Sequence, residues 1–135
     1  MEPPSLELTD ADRDLIRFAS SIIEAHGDGE IHTVAAAVRS VEGAMYGGIN
    51  LYHFTGGPCA ELCALANARA SGARELTTIV AVGDDGRGPL SPCGRDRQVL
   101  FDYYPGIRVL VPTGDGVRSL AVTDLLPLGY RRNEL

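Results

Sequence analysis

The sequence predicts an α/β fold: a three-layer sandwich with helices on both faces of a mixed five-stranded sheet. Two observations carry that prediction. The patterned segments run helix, hairpin, helix, strand, helix, strand, strand, and strand–helix–strand alternation places parallel strands side by side. With 135 residues the chain also suits one compact domain around a single core, spanning 1–135.

Each element has its own local signals. Thr9 and Asp12 stand at the spacing of a helix-opening cap, although Asp is a weaker reciprocal partner than Glu. Leu15, Phe18, Ala19, Ile22 and Ile23 recur at helical spacing up to Gly27, which predicts a helix over 11–26. Val34, Ala36 and Val38 alternate, so 33–39 reads as a strand. After the Glu42-Gly43 turn, 45–51 returns as its antiparallel partner. Gly56-Gly57-Pro58 breaks the chain and sets up a helix over 59–71, ended by Gly72. Residues 76–82 form a β-rich run, 83–92 a loop, and 93–104 a further helix stopped by Pro105-Gly106. Residues 107–111 and 117–122 are strands joined by a Gly-rich turn, and 123–126 a short last helix.

Composition narrows the function classes. Hydrophobic residues make up 44% and charged residues 22%, as in globular proteins. A net charge of -6 argues against a nucleic-acid surface, which needs a basic face, and points to a small neutral or cationic substrate. No apolar run approaches the ~18–20 residues of a membrane span, and the first residues do not pattern as a signal peptide. Three cysteines then suit a reducing, cytoplasmic setting, with thiols kept for packing or metal.

The chemistry-bearing residues lie in Cys59-Ala60-Glu61 and Ser91-Pro92-Cys93-Gly94-Arg95-Asp96. Zinc nucleobase deaminases pair a Cys or His, one residue before a proton-shuttling glutamate, with a Pro-Cys-x-x-Cys segment. Here the first half is intact, and Asp96 stands where a third thiolate is expected. Cys59 and Glu61 would diverge by about 200° on a regular helix, so they address one ion only if Cys59 occupies the non-helical cap. Gly57-Pro58 favours that placement. Both cysteines would then sit at helix openings, which stabilise thiolate. Taken singly, such cysteines are commonly small buried hydrophobes. The pairing of the two segments is what argues for a site.

The run from Gly48 to Leu62, including Tyr52-His53-Phe54-Thr55-Gly56-Gly57-Pro58-Cys59-Ala60-Glu61, resembles the fungal blasticidin S deaminases of the cytidine deaminase superfamily. The segments 79–83, 86–88 and 91–95, then Arg97-Gln98-Val99-Leu100, Pro105-Gly106-Ile107, Leu125-Leu126-Pro127 and Gly129-Tyr130 extend the likeness over nearly the whole chain beyond the first helix. The resemblance implies a cytidine-deaminase-like fold, a homotetramer and one Zn2+ per subunit. Carried over by position, it makes Cys59 and Cys93 zinc ligands and Glu61 the proton shuttle. It also places Asn50 against the sugar portion of a substrate, with Thr33, Tyr52, Ala60 and Tyr130 lining the substrate side. The implied activity is hydrolytic deamination of a cytosine-type nucleoside or nucleoside antibiotic. Two other readings stay open: a catalytically silent, metal-poor nucleoside-binding relative, and a deaminase of another aminated heterocycle such as an azapyrimidine or aminopurine.

Three departures qualify the resemblance. Nucleoside-specific relatives carry a glutamate where this chain has Tyr52, which agrees with the blasticidin-type branch. After Tyr130 the chain reads Arg131-Arg132-Asn133, where the fungal proteins carry an aromatic. Asp96 is the largest departure. A carboxylate keeps the formal charge of a thiolate but is a harder zinc ligand, so affinity should fall. Asp96 either completes a Cys59–Cys93–Asp96 ligand set or rotates away toward Arg95 or Arg97. Cys63 reads as core filler one turn into its helix, and His32 and His53 as ordinary loop or strand residues. Phe101, Tyr103 and Tyr104 read as packing or subunit contacts.

Overall fold

The computed structural model describes residues 2–131. The first helix, α1 (Asp10–His26), opens on the anticipated capping box. Thr9 Oγ1 accepts from the Asp12 amide at 3.1 Å, and the Asp12 carboxylate accepts from the Thr9 amide at 3.0 Å. Its buried residues Leu15, Ala19 and Ile23 form one stripe, as the spacing requires. The chain continues through β1 (Val34–Ser40), β2 (Met45–Ile49), α2 (Ala60–Ala70), β3 (Leu76–Gly83), β4 (Gly88–Leu90), α3 (Gly94–Tyr103), β5 (Arg108–Thr113) and β6 (Gly116–Ala121). The segment read as a last short helix is a 3-10 turn, Val122–Leu125.

The strands form one mixed sheet in the order β2-β1-β3-β5-β6, with β3 and β5 parallel and every other pair antiparallel. The expectation of five strands describes this path. A sixth, β4, lies inside the segment read as a loop and pairs with β3 through Ala81↔Leu90, Val82↔Pro89 and Gly83↔Gly88. Its Gly-Pro-Leu sequence carries no strand propensity, so pairing with β3 imposes its conformation.

Two apolar layers cover the sheet. Ala35, Ala37, Val80, Val82 and Leu110 face α1, whereas Ala36, Val38, Ile79, Ala81, Val109 and Val111 face the α2 and α3 side. This strict alternation along β1, β3 and β5 is the signature of strands covered on both faces. The buried core of α2 is mostly Ala60, Ala64, Leu65 and Ala68, so its backbone lies close to the sheet. Gly48 in β2 makes that approach possible: a Cβ there would stand 2.4 Å from the Ala64 amide nitrogen and 2.7 Å from the Cys63 Cβ. The start of α2 is thereby fixed against the strands whose ends line the site.

Candidate active site

Cys59 and Cys93 are the N-cap residues of α2 and α3, both with extended backbone (φ -74°, ψ 159° and φ -71°, ψ 173°) and neither side chain capping its helix. The non-helical placement expected for Cys59 is therefore present. It lets Cys59 and Glu61 share one cavity although they lie two residues apart. Gly57 is required for that approach, since a Cβ on it would meet the Leu51 carbonyl oxygen at 1.5 Å. With only hydrogen there, the Leu51 amide bonds the Pro58 carbonyl at 3.1 Å and the loop before α2 folds against residues 50–52.

Asp96, three residues into α3, is 2% exposed and turned into the same cavity. Its Oδ1 accepts from Cys59 Sγ at 3.1 Å and its Oδ2 accepts from Cys93 Sγ at 3.4 Å. The alternative in which Asp96 turns toward Arg95 or Arg97 is not the one adopted. Arg97 instead donates to the carbonyls of Pro92 (2.9 Å) and Leu125 (3.0 Å), tying the start of α3 to the 3-10 turn. Glu61 is 7% exposed beside them. Burial, then the Asp96 carboxylate, push the Glu61 carboxyl up to about 7. Burial, then the hydrogen bond and charge of Asp96, push the Cys59 thiol up to about 12. Burial and the neighbouring acid thus act on Cys59 against the helix opening.

The cavity encloses about 300 Å³ and is lined by Val34, Asn50, Tyr52, Ala60, Ser91, the two thiols and the two carboxyls, among others. No basic side chain is among the described lining residues. A cluster of two thiols and two carboxyls with no basic side chain in its described lining is chemically suited to a divalent ion. Among the described residues, no set of three or more His, Cys, Asp or Glu side chains is already arranged about a metal position. The donors stand instead at hydrogen-bonding distance from one another. Ligands at ~2.1–2.3 Å from a tetrahedral zinc are about 3.6 Å apart, so the sulfur–oxygen contacts need open by only a few tenths of an ångström. By donor chemistry Cys59, Cys93 and Asp96 could hold zinc.

Asn50 follows β2, and its side chain is locked. Oδ1 accepts from the amides of Thr33 (2.7 Å) and Val34 (3.0 Å), while Nδ2 donates to Thr33 Oγ1 at 3.1 Å. Two backbone donors fix which end of the amide is oxygen, leaving one amide N–H of Asn50 for a ligand acceptor. Thr33 itself does not line the cavity and acts through Asn50. Tyr130 does not line it either: its ring is exposed, and its carbonyl accepts from Gln98 Nε2 at 3.0 Å. Cys63 is also absent from the lining and lies near Gly48 of β2, in keeping with a packing role. His53 pairs with Thr55 in the exposed loop. Phe101 is buried, with Arg131 at 4.6 Å from its ring centroid, and Tyr104 packs on the core; of the three aromatics read as packing or subunit contacts, only Tyr103 is exposed. Arg132 and Asn133 lie outside the described residues.

The sequence gives Ser91 no role beyond its place in the Pro-Cys segment, reads His32 as an ordinary residue and does not single out Asp28. Ser91 lines the cavity two residues before Cys93. Asp28 Oδ1 accepts from the amides of Glu30, Ile31 and His32, each at 2.9 Å. The His32 bond first, then that of Glu30, hold its carboxyl below the usual range. His32 Nδ1 lies 2.7 Å from the Asn50 carbonyl. Asp28-Gly29 after a helix is a recognisable signal for such an Asx turn, but its link to the site is tertiary.

This fold, with two cysteine-capped helices and a buried glutamate meeting at strand ends, defines a cytidine-deaminase-type architecture. No family profile matches the chain. It is 33% identical to a cytidine deaminase of Sporosarcina psychrophila over 109 residues, covering 76% of this chain and 77% of the relative. It is 28% identical over 138 residues to a blasticidin-S deaminase of Bacillus cereus, covering 96% and 99%. Among solved structures, a cytidine deaminase from Burkholderia pseudomallei superposes with a TM-score of 0.72 at 30% identity, covering 91% of this chain and 100% of that one. The chain belongs to the cytidine deaminase superfamily and is blasticidin S deaminase-like, an aminohydrolase of the cytidine/blasticidin S deaminase type.

Proposed function

We propose that the chain is a zinc-dependent hydrolytic deaminase of a cytosine-type nucleoside or a nucleoside antibiotic of the blasticidin S kind. The observation that carries this reading is the burial of Glu61 in one cavity with Cys59, Cys93 and Asp96. Those three would hold the metal, and zinc bound there would supply the Lewis acidity that makes water nucleophilic near neutral pH. Asn50 presents its amide N–H to a sugar-like acceptor, while Tyr52 and Ala60 form the wall beside it. With the ring so placed, water adds to the amino-bearing carbon. Glu61 accepts the proton that the water gives up and passes it to the adjoining ring nitrogen, then carries the proton of the added hydroxyl to the departing amine. Ammonia leaves and an oxo group replaces it. Because Glu61 is enclosed and its acidity lies near neutrality, it can both take and return a proton at little cost.

The silent, metal-poor reading draws on one specific observation, the carboxylate at the third ligand position. Against it stands Glu61, since a binding relic has no use for a buried carboxyl beside two thiols. The net charge of -6 fits a small-molecule substrate and no nucleic-acid partner. No described helix is long and apolar enough to cross a membrane, and a cytoplasmic setting is proposed with it. Exposed Leu51, Tyr52 and Phe54 (85% exposed) beside the cavity favour assembly, for which we adopt a homotetramer. Purified protein is expected to contain close to one zinc per chain and to scatter light as four chains of 14.3 kDa. A metal-free monomer with full deaminase activity would contradict both assignments.

A further inference from the structure

We propose that Asp28 is a positioning residue for the substrate wall of this site, acting through Ile31 and His32 on residues 50–52. The inference rests on the deaminase reading above. The wall lies beyond the sheet ladder, whose last β1–β2 pair is Ala35↔Ile49. Residues 50–52 must therefore be held by other bonds, and beyond the Asn50 side-chain bonds to Thr33 and Val34 these are contacts of their main chain. Asn50 donates its amide to the Val34 carbonyl (3.0 Å) and Leu51 donates to Pro58 (3.1 Å). From the outer side come two bonds from a single turn. The Tyr52 amide donates to the Ile31 carbonyl at 2.9 Å, and His32 Nδ1 meets the Asn50 carbonyl at 2.7 Å. A carbonyl can only accept, so Nδ1 carries the proton and donates.

That turn is closed by one oxygen. Asp28 Oδ1 takes the amides of Glu30, Ile31 and His32, each at 2.9 Å, and the Asp28 amide donates to the His32 carbonyl at 3.1 Å. Three donors converging on one acceptor favour a full negative charge there. The turn carries Gly27 and Gly29 and belongs to no strand or helix beyond the end of α1, so without that oxygen it has little to hold its shape. Neither Asp28 nor His32 lines the cavity, whereas Asn50, Leu51 and Tyr52 all do. Asp28 therefore acts at a distance, holding in place the main chain that carries Asn50 and Tyr52 to a ligand. Such an effect alters uniform binding and leaves Glu61 and the thiols untouched, so it is read in KM rather than kcat.

The test compares Asp28→Ala, Asp28→Asn and His32→Phe with the wild type in two measurements: cytidine deamination kinetics, and NMR-detected hydrogen exchange of the Tyr52 amide in the free protein. Asp28→Ala and His32→Phe are expected to raise KM about tenfold with kcat held within about threefold, the size expected for a lost charge-assisted bond. Asp28→Asn, which keeps an acceptor oxygen, should recover most of the affinity. The Tyr52 amide should exchange faster in Asp28→Ala. Unchanged Tyr52 exchange, or a loss confined to kcat, overturns the proposal. If wild-type protein turns over neither cytidine nor blasticidin S, the deaminase reading has failed. Exchange at Tyr52 then decides the positioning claim by itself.

Discussion

Glu61→Gln is expected to cut ammonia release by at least ~10²–10⁴-fold, the range for loss of a positioned general acid–base group. The substitution keeps side-chain size and the fit among Ala60, Asn50 and the thiols, and removes only the capacity to carry a proton. Zinc content and nucleoside affinity should therefore stay at their wild-type values. Glu61 serves several proton transfers in one turnover, so the loss should fall mostly on kcat and lie toward the upper end of that range. Survival of activity would mean that the proton carrier is misassigned. Asp96, the nearest other carboxylate, would be the next candidate, because it contacts both thiols and its charge is felt at Glu61.

The second large effect is expected at Asp96. Asp96→Ala removes the hardest of three donors and leaves two thiols. Zinc per chain should fall well below one, and ammonia release should fall with it, because loss of a ligand exceeds the ~10–100-fold in affinity typical of losing a ligand's supporting partner. Asp96→Cys should do the opposite, holding zinc against a chelator longer than the wild type does, since thiolate is the softer and better zinc donor. If Asp96→Ala keeps its zinc, Asp96 is not a ligand and the Cys59–Cys93 pair finds its third donor elsewhere.

How much of the fold and site is legible in the sequence depends on how local each cause is. The cap that turns Cys59 out of helical geometry is readable, because Gly57-Pro58 dictates it within two residues. The two-faced sheet is readable too, since its strands carry apolar residues on both faces and helices flank them in sequence. β4 is not, because Gly88-Pro89-Leu90 is made a strand by its neighbour rather than by its own propensity. The environment of the Cys59 thiol is not readable from its helix position alone. Burial first, then the hydrogen bond and charge of Asp96, push the thiol up, and both arise only after α3 packs beside α2. Thr33, expected at the substrate, is bonded to Asn50 and outside the described cavity lining, a placement its spacing does not reveal. The link from Asp28 to Asn50 crosses from the end of α1 to the end of β2, a contact that no spacing along the chain encodes.

The measurement closest to the central claim is ammonia release by the wild-type chain from cytidine, deoxycytidine and blasticidin S, before and after removal of metal with a chelator. The account predicts ammonia matched by oxo-pyrimidine product from at least one of the three, lost on chelation and restored by added zinc. Nucleoside binding with no ammonia from any of them, whether zinc is present or absent, would contradict it.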